Sequence, residues 1–219
     1  MESVLNLVFF ICGLIIAIII HEIAHGWIAN KLGDPTARLS KRLTLNPLAH
    51  IDNFGSIVLP LFLLLSGSGF IFGWAKPVPV DDRYFKHRTR DNLLVSSAGI
   101  IANILLAAFC GTLIRLTGHI GLNTISLLLT TFLVSLMQIN LILAAFNILP
   151  IPPLDGSKIC FGWINKPWAQ EYIHSPKTAM LCIGLIFILL PLTTQTLGLI
   201  NPISLWLHSF VTTMTTLLL

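Results

Sequence analysis

The sequence predicts an all-α polytopic membrane protein, and three observations carry the prediction. Of its 219 residues, 55% are hydrophobic. Only 10% are charged, against about 25% in a soluble domain. The charges also cluster, and they leave uncharged stretches long enough to cross a bilayer. The expected architecture is a three-helix core with extra transmembrane helices and a small re-entrant β element. The whole chain, 1–219, is read as one membrane-embedded domain, its core at 3–160 and C-terminal transmembrane helices at 178–219.

Six apolar segments define the elements: 3–30, 55–72, 92–117, 122–149, 178–199 and 203–219. A spanning helix needs about 20 residues. The first, third and fourth segments exceed that, and the fifth suffices despite Pro191. The sixth follows Asn201-Pro202, a natural helix start. The first segment has no basic stretch before it and no small-residue cleavage site after it, so it is read as retained. Cys12, Cys110, Cys160 and Cys182 form no CxxC pair and are read as packing residues.

The second segment stands apart. It carries Pro60, Gly67 and Gly69, with Gly73 just beyond it, and it has basic residues on both flanks: Lys31, Arg38, Lys41 and Arg42 before it, Lys76, Arg83, Lys86, Arg88 and Arg90 after it. If it dips into the membrane and returns, twelve of the thirteen Lys and Arg residues fall on the cytoplasmic side, leaving Arg115. Irregular backbone at membrane depth is tolerated where protein or water covers it, so 55–80 is expected to line a cavity. The stretches 36–46 and 70–80 are read as strands of a small sheet, with Pro77 and Pro79 confining the second to an edge. The net charge of +4 comes from loops and is read as topology, not nucleic-acid binding.

Residues 21–25 read His-Glu-Ile-Ala-His. Positions i and i+4 share a helix face, so His21 and His25 can both offer a nitrogen to one ion. Glu22 lies about 100° further round, where a general base for a metal-bound water belongs. Chance occurrence of the motif is weighed against its place, directly after Ile18-Ile19-Ile20 in a membrane helix. Charged side chains there cost about 2.5–3.5 kcal/mol each even on the lenient insertion scale. A divalent cation, one Zn²⁺ per chain, is the natural compensation.

A catalytic zinc takes three protein ligands. Among the nine acidic residues, Asp155 is the candidate outside the charged loops. Pro150, Pro152 and Pro153 unwind the chain before it, and Gly156 allows a tight turn after it. The bland alternative is an ordinary Pro-Gly loop at a membrane boundary. Depth favours the ligand reading. His21 lies about 27 Å along its helix, toward the cytoplasmic side, and the fourth segment runs the same way and delivers Asp155 to that depth.

Together these motifs resemble the site-2 protease family of intramembrane metalloproteases, over most of residues 17–160. The family's third motif is matched by Asn147-Ile148-Leu149-Pro150 followed by Leu154-Asp155-Gly156. Its second is matched by 97–103, with Gly99 and Asn103 kept and Ile100 in place of the usual proline. For Asn103 two readings stand: a helix–helix hydrogen bond, or a catalytic donor to substrate or oxyanion. The stretches 43–52 and 73–78 are similar to the compact bacterial branch, which lacks a PDZ domain. His50 and Asp52 are read as polar anchors of the re-entrant sheet.

The resemblance implies hydrolysis of peptide bonds within or near transmembrane segments, with Glu22 moving the proton. The expected partners are a transmembrane protein substrate and the lipid bilayer of the cell membrane, with the site toward the cytoplasm. Strand addition on 70–80 would hold the unwound substrate. The alternative is a polytopic transporter that moves a metal or proton through the His/Glu/Asp cluster. Against it, ionisable residues concentrate at one metal-ligand spacing and no internal repeat is present.

Overall fold

The computed structural model describes residues 2–65, 73–117 and 124–219. Its helices are, in chain order, α1 (Glu2–Lys31), α2 (Thr36–Leu39), α3 (Leu59–Leu65), α4 (Arg88–Thr117), α5 (Thr124–Asn147), α6 (Asp155–Phe161), α7 (Pro167–His174), α8 (Pro176–Gly184), α9 (Leu190–Leu197) and α10 (Pro202–Leu218). Three of them, α1, α4 and α5, are long and apolar enough to cross a membrane. They pack on one another as the central bundle. The chain is thus an all-α, multi-pass membrane protein.

The bundle holds together through small side chains and a shared apolar core. Ala17 is fully buried in α1, and a Cβ at Gly13 would lie 2.9 Å from Ile139, so the absence of one lets α1 approach α5. Ala107, Cys110, Leu133, Leu136, Met137 and Leu141 form the core between α4 and α5. Another face of α4 exposes Ile101, Leu105 and Phe109, four residues apart in turn, as one apolar stripe.

The C-terminal part differs from two successive crossings. Trp206 Nε1 donates to Ala145 O near the end of α5, while Arg115 near the end of α4 donates to Leu217 O. So α10 runs antiparallel to α5 and begins at the end of the bundle where α5 stops. The intervening chain starts and finishes at that same end. Within it α8 and α9 join through a π-helical turn, Leu185–Leu189. Such a turn accommodates Pro191, which has no N–H for the helical ladder.

Helix α1 closes at Gly33, whose φ of 111° suits glycine, with Asp34 N–H bonding back to Ala29 O. No strand occurs among the described residues, which corrects the expected sheet. In 36–46 the Asp34 carboxylate accepts from the Thr36 N–H and hydroxyl and starts the helical turn α2. Lys41 then takes a left-handed conformation, φ 53°, that no strand sustains.

Residues 70–72 of the second stretch lie outside those described, and 73–80 is extended backbone without ladder pairing. Nor is it a free edge. Trp74 N–H donates to Gly55 O and Lys76 N–H to His50 O. Ser56 Oγ donates to Trp74 O, and Arg42 Nη2 donates to Lys76 O. These bonds leave few groups for strand addition. They do bring residues 55 and 74 together, so the segment between them begins and ends at one place, as a dip-and-return path requires. A Cβ at Gly55 would meet the Trp74 ring at 2.4 Å, so only glycine allows this closure. Beyond it, hydrogen bonds from Arg83 hold the Asp81 carboxyl down at about 2, and Arg88 lowers Asp82 in the same way.

Candidate metal centre

The site forms where α1, α4 and the unwound chain after α5 converge. The i, i+4 spacing puts His21 and His25 on one face of α1. Their Nε2 atoms lie 3.0 Å apart. Asp155 Oδ2 lies 3.2 Å from His21 Nε2 and 3.1 Å from His25 Nε2. Tetrahedral ligands about 2.0–2.2 Å from a zinc ion stand roughly 3.3 Å or slightly more apart, close to this triangle. Among the described residues it is the one such His/Cys/Asp/Glu group.

The chain delivers Asp155 by breaking α5. The helix stops at Asn147, residues 148–154 form turns, and α6 restarts at Asp155. There the carboxylate sits in a helical first turn, which favours negative charge. Gly156 is confined: a Cβ would lie 2.3 Å from the carbonyl oxygens of both Ile148 and Leu149.

The hydrogen bonds behind the two imidazoles bear on what the triangle can hold. His25 Nδ1 lies 2.7 Å from Val95 O. A carbonyl only accepts, so Nδ1 carries the hydrogen and Nε2 presents a lone pair. His21 Nδ1 donates in the same way to Asn103 Oδ1 at 2.6 Å. Two nitrogen lone pairs thus face a carboxylate oxygen. Asp155 Oδ2 is buried with no hydrogen-bond partner. Three acceptors without a donor repel one another unless a cation lies among them. The donor set, two imidazoles and a carboxylate, fits catalytic zinc.

Asn103 stands behind the site, not in it. It is fully buried. Its Oδ1 accepts from His21, and its Nδ2 donates to Asn140 Oδ1 at 2.7 Å and Ala17 O at 3.3 Å. With both N–H groups engaged in these bonds, Asn103 makes the interhelical contact here, the first of its two expected readings. Asn140 in turn donates to Leu136 O. This relay ties α1, α4 and α5 to one imidazole. Such interhelical bonds are worth only about 0.6 kcal/mol each in membrane proteins, so orientation of His21 is their larger contribution. Asn140 was not singled out in the sequence, although a lone asparagine between Ile139 and Leu141 is a signal.

Glu22 is half-buried beside the histidines. Its Oε2 accepts from Val78 N–H at 2.7 Å. His50 and Asp52 lie away from the triangle: His50 Nε2 donates to Thr44 O, and Asp52 caps the turn at Phe54 and Gly55.

Comparison with known proteins agrees with the geometry. A protein of Bacillus subtilis (strain 168) named "Putative zinc metalloprotease YwhC" is 40% identical over 154 residues, covering 69% of this chain and 67% of that protein. The chain belongs to peptidase family M50. The model of that family matches residues 111–191, which include Asp155 but not the histidine pair. "Putative zinc metalloprotease Rip2" of Mycolicibacterium smegmatis is 31% identical over 154 residues, 67% of this chain and 53% of that protein. The Rip2 of Mycobacterium tuberculosis (strain ATCC 35801 / TMC 107 / Erdman) is 30% identical over 182 residues, 83% of this chain and 66% of that protein. No solved structure matches the chain. M50 is the site-2 protease family that the motifs resemble, and membership places this chain among metalloproteases.

Proposed function

We propose that this chain is an intramembrane zinc metalloendopeptidase that cuts peptide bonds within or near transmembrane segments of other proteins. One observation carries the reading. Two imidazole lone pairs and an unpartnered buried carboxylate oxygen converge within 3.2 Å, beside Glu22, on a helix that crosses the membrane. The relatives' names, which specify zinc, support it.

His21, His25 and Asp155 would hold one zinc per chain. When bound, the metal lowers the pKa of a water and polarises the scissile carbonyl. The chain's own residues do the rest. Glu22, with Oε2 fixed by Val78, offers Oε1 to take a proton and later return it to the leaving amine. Asn103 and Val95 O keep each imidazole in the tautomer that leaves Nε2 free. The surrounding apolar helices limit water. The substrate is the transmembrane segment of another protein, because the site lies along a spanning helix. The reading as a whole is tested by offering such a substrate to the wild type and Glu22→Gln side by side.

The proposed location is the cell membrane, with the site toward the cytoplasm. The basic residues on both flanks of the dipping segment support this orientation. In a cysteine-free background, Ser40→Cys and Lys86→Cys should be labelled by an impermeant thiol reagent from the same, cytoplasmic side. Labelling from opposite sides would rule out the re-entrant path.

A further inference from the structure

We infer that Val78 is a positioning residue for the general base, its backbone N–H holding Glu22 in the orientation that proton transfer needs. The inference deepens the peptidase reading and rests on it. It starts from a single bond, Val78 N–H to Glu22 Oε2 at 2.7 Å, between residues 56 apart in sequence.

The local sequence makes this N–H unusual. It lies between Pro77 and Pro79, neither of which has one. Between Lys76 and Val80 it is therefore the sole backbone donor. Proline also restrains the residue before it to extended backbone, which applies to Lys76 and Val78 alike. The strap is thus stiff before it meets α1.

Its register is fixed from both sides. Two residues earlier, Lys76 O accepts from Arg42 Nη2 at 2.6 Å and Lys76 N–H donates to His50 O at 2.9 Å. Three residues later, Asp81 N–H donates to Asp34 Oδ2 at 2.8 Å. Asp34 is fully buried and follows the end of α1, the helix that carries Glu22. The Val78 side chain is buried as well. It packs so closely on Gly26 that a Cβ there would lie 2.7 Å from Val78 Cγ1. Anchors on both sides and a glycine seat beneath bring one backbone N–H to one carboxylate oxygen. With Oε2 held, Glu22 cannot swing away, and Oε1 is the oxygen presented for the proton.

Two measurements on the full chain in detergent or liposomes test this. The first needs no activity. Hydrogen exchange of the Val78 amide, read by NMR on uniformly nitrogen-labelled protein, should quicken about 10- to 100-fold in Glu22→Ala, as expected for loss of a bond to a charged acceptor. The Lys76 and Asp81 amides should keep their rates. An unchanged Val78 rate overturns the inference whether or not the protein cleaves anything.

The second is kinetic. Val78→Pro keeps the extended backbone and deletes the N–H. It should lower kcat about 10- to 100-fold, the scale of a misplaced catalytic group, with KM and zinc content little changed. In a Glu22→Gln background the same change should cost nothing further, because Val78 acts through Glu22. Equal losses in both backgrounds overturn the inference. So does a Val78→Ala variant, which retains the N–H, that loses as much as Val78→Pro. A wild type that cleaves no substrate sinks the peptidase reading instead, and the exchange result still decides the role of Val78.

Discussion

Glu22→Gln should cut peptide-bond cleavage to a small residual rate, about 10⁴-fold or more below wild type, while leaving the metal in place. Gln keeps the length of the side chain and can still accept from Val78 N–H, so the site's shape survives. What disappears is the proton acceptor. General-base help alone is worth about 10²–10⁴ in rate, and Glu22 is also proposed to protonate the leaving amine, so the loss should reach or exceed the top of that range. His21, His25 and Asp155 are untouched, and zinc content should stay at the wild-type level. A transmembrane substrate should still associate and co-purify uncut. The transporter alternative predicts otherwise: Gln would alter metal or proton flux, and neither form would cut a peptide. Equal cleavage by both forms would refute Glu22 as the base. Cleavage by neither, across several transmembrane substrates, would favour transport.

Gly99→Ala should empty the metal site without unfolding the bundle. The added Cβ would lie 2.5 Å from His21 Cε1, 2.5 Å from His25 Nε2 and 2.6 Å from His21 Nδ1. No carbon sits that close to non-bonded atoms, so something must move. The imidazoles cannot turn freely, because His25 is tied to Val95 O and His21 to Asn103, both on α4 with Gly99. Shifting α4 would break its packing on α1 and α5. Rotation of the rings is the cheaper escape, and it takes the Nε2 atoms off their common point. Losing one orienting partner of a ligand typically costs 10–100-fold in metal affinity. Disturbing two ligands together should cost at least about 100-fold. Zinc competition against a chelator, with circular dichroism to confirm helix content, measures this. Wild-type affinity in Gly99→Ala would mean the imidazoles are not held as described.

These contrasts show what the residues announced and what they concealed. The histidine pair and Glu22 were legible because a helix converts sequence spacing into direction. Asp155 was legible because three prolines and a glycine mark where a helix must unwind, and depth could be counted in rises per residue. The three long core helices followed from apolar length. The expected strands failed for local reasons. An Asp34 cap and a left-handed Lys41 bend 36–46, and hydrogen bonds to Gly55, His50 and Glu22 occupy the N–H groups that pairing along 73–80 would use. The role of Asn103 was legible only in part, since its partner Asn140 lies 37 positions away and no spacing rule connects two helices. The bond from Val78 to Glu22 was invisible, because every residue but proline carries a backbone N–H. The direction of α10 depended on how the chain between α5 and α10 folds back, which composition does not encode.

A metal centre built from His21, His25 and Asp155 is tested most directly by elemental analysis of purified protein. Wild type should carry one zinc per chain. Asp155→Ala, which removes the buried oxygen that has no other partner, should carry little or none and should not cleave a transmembrane substrate. Stoichiometric zinc and full activity in Asp155→Ala would contradict the account.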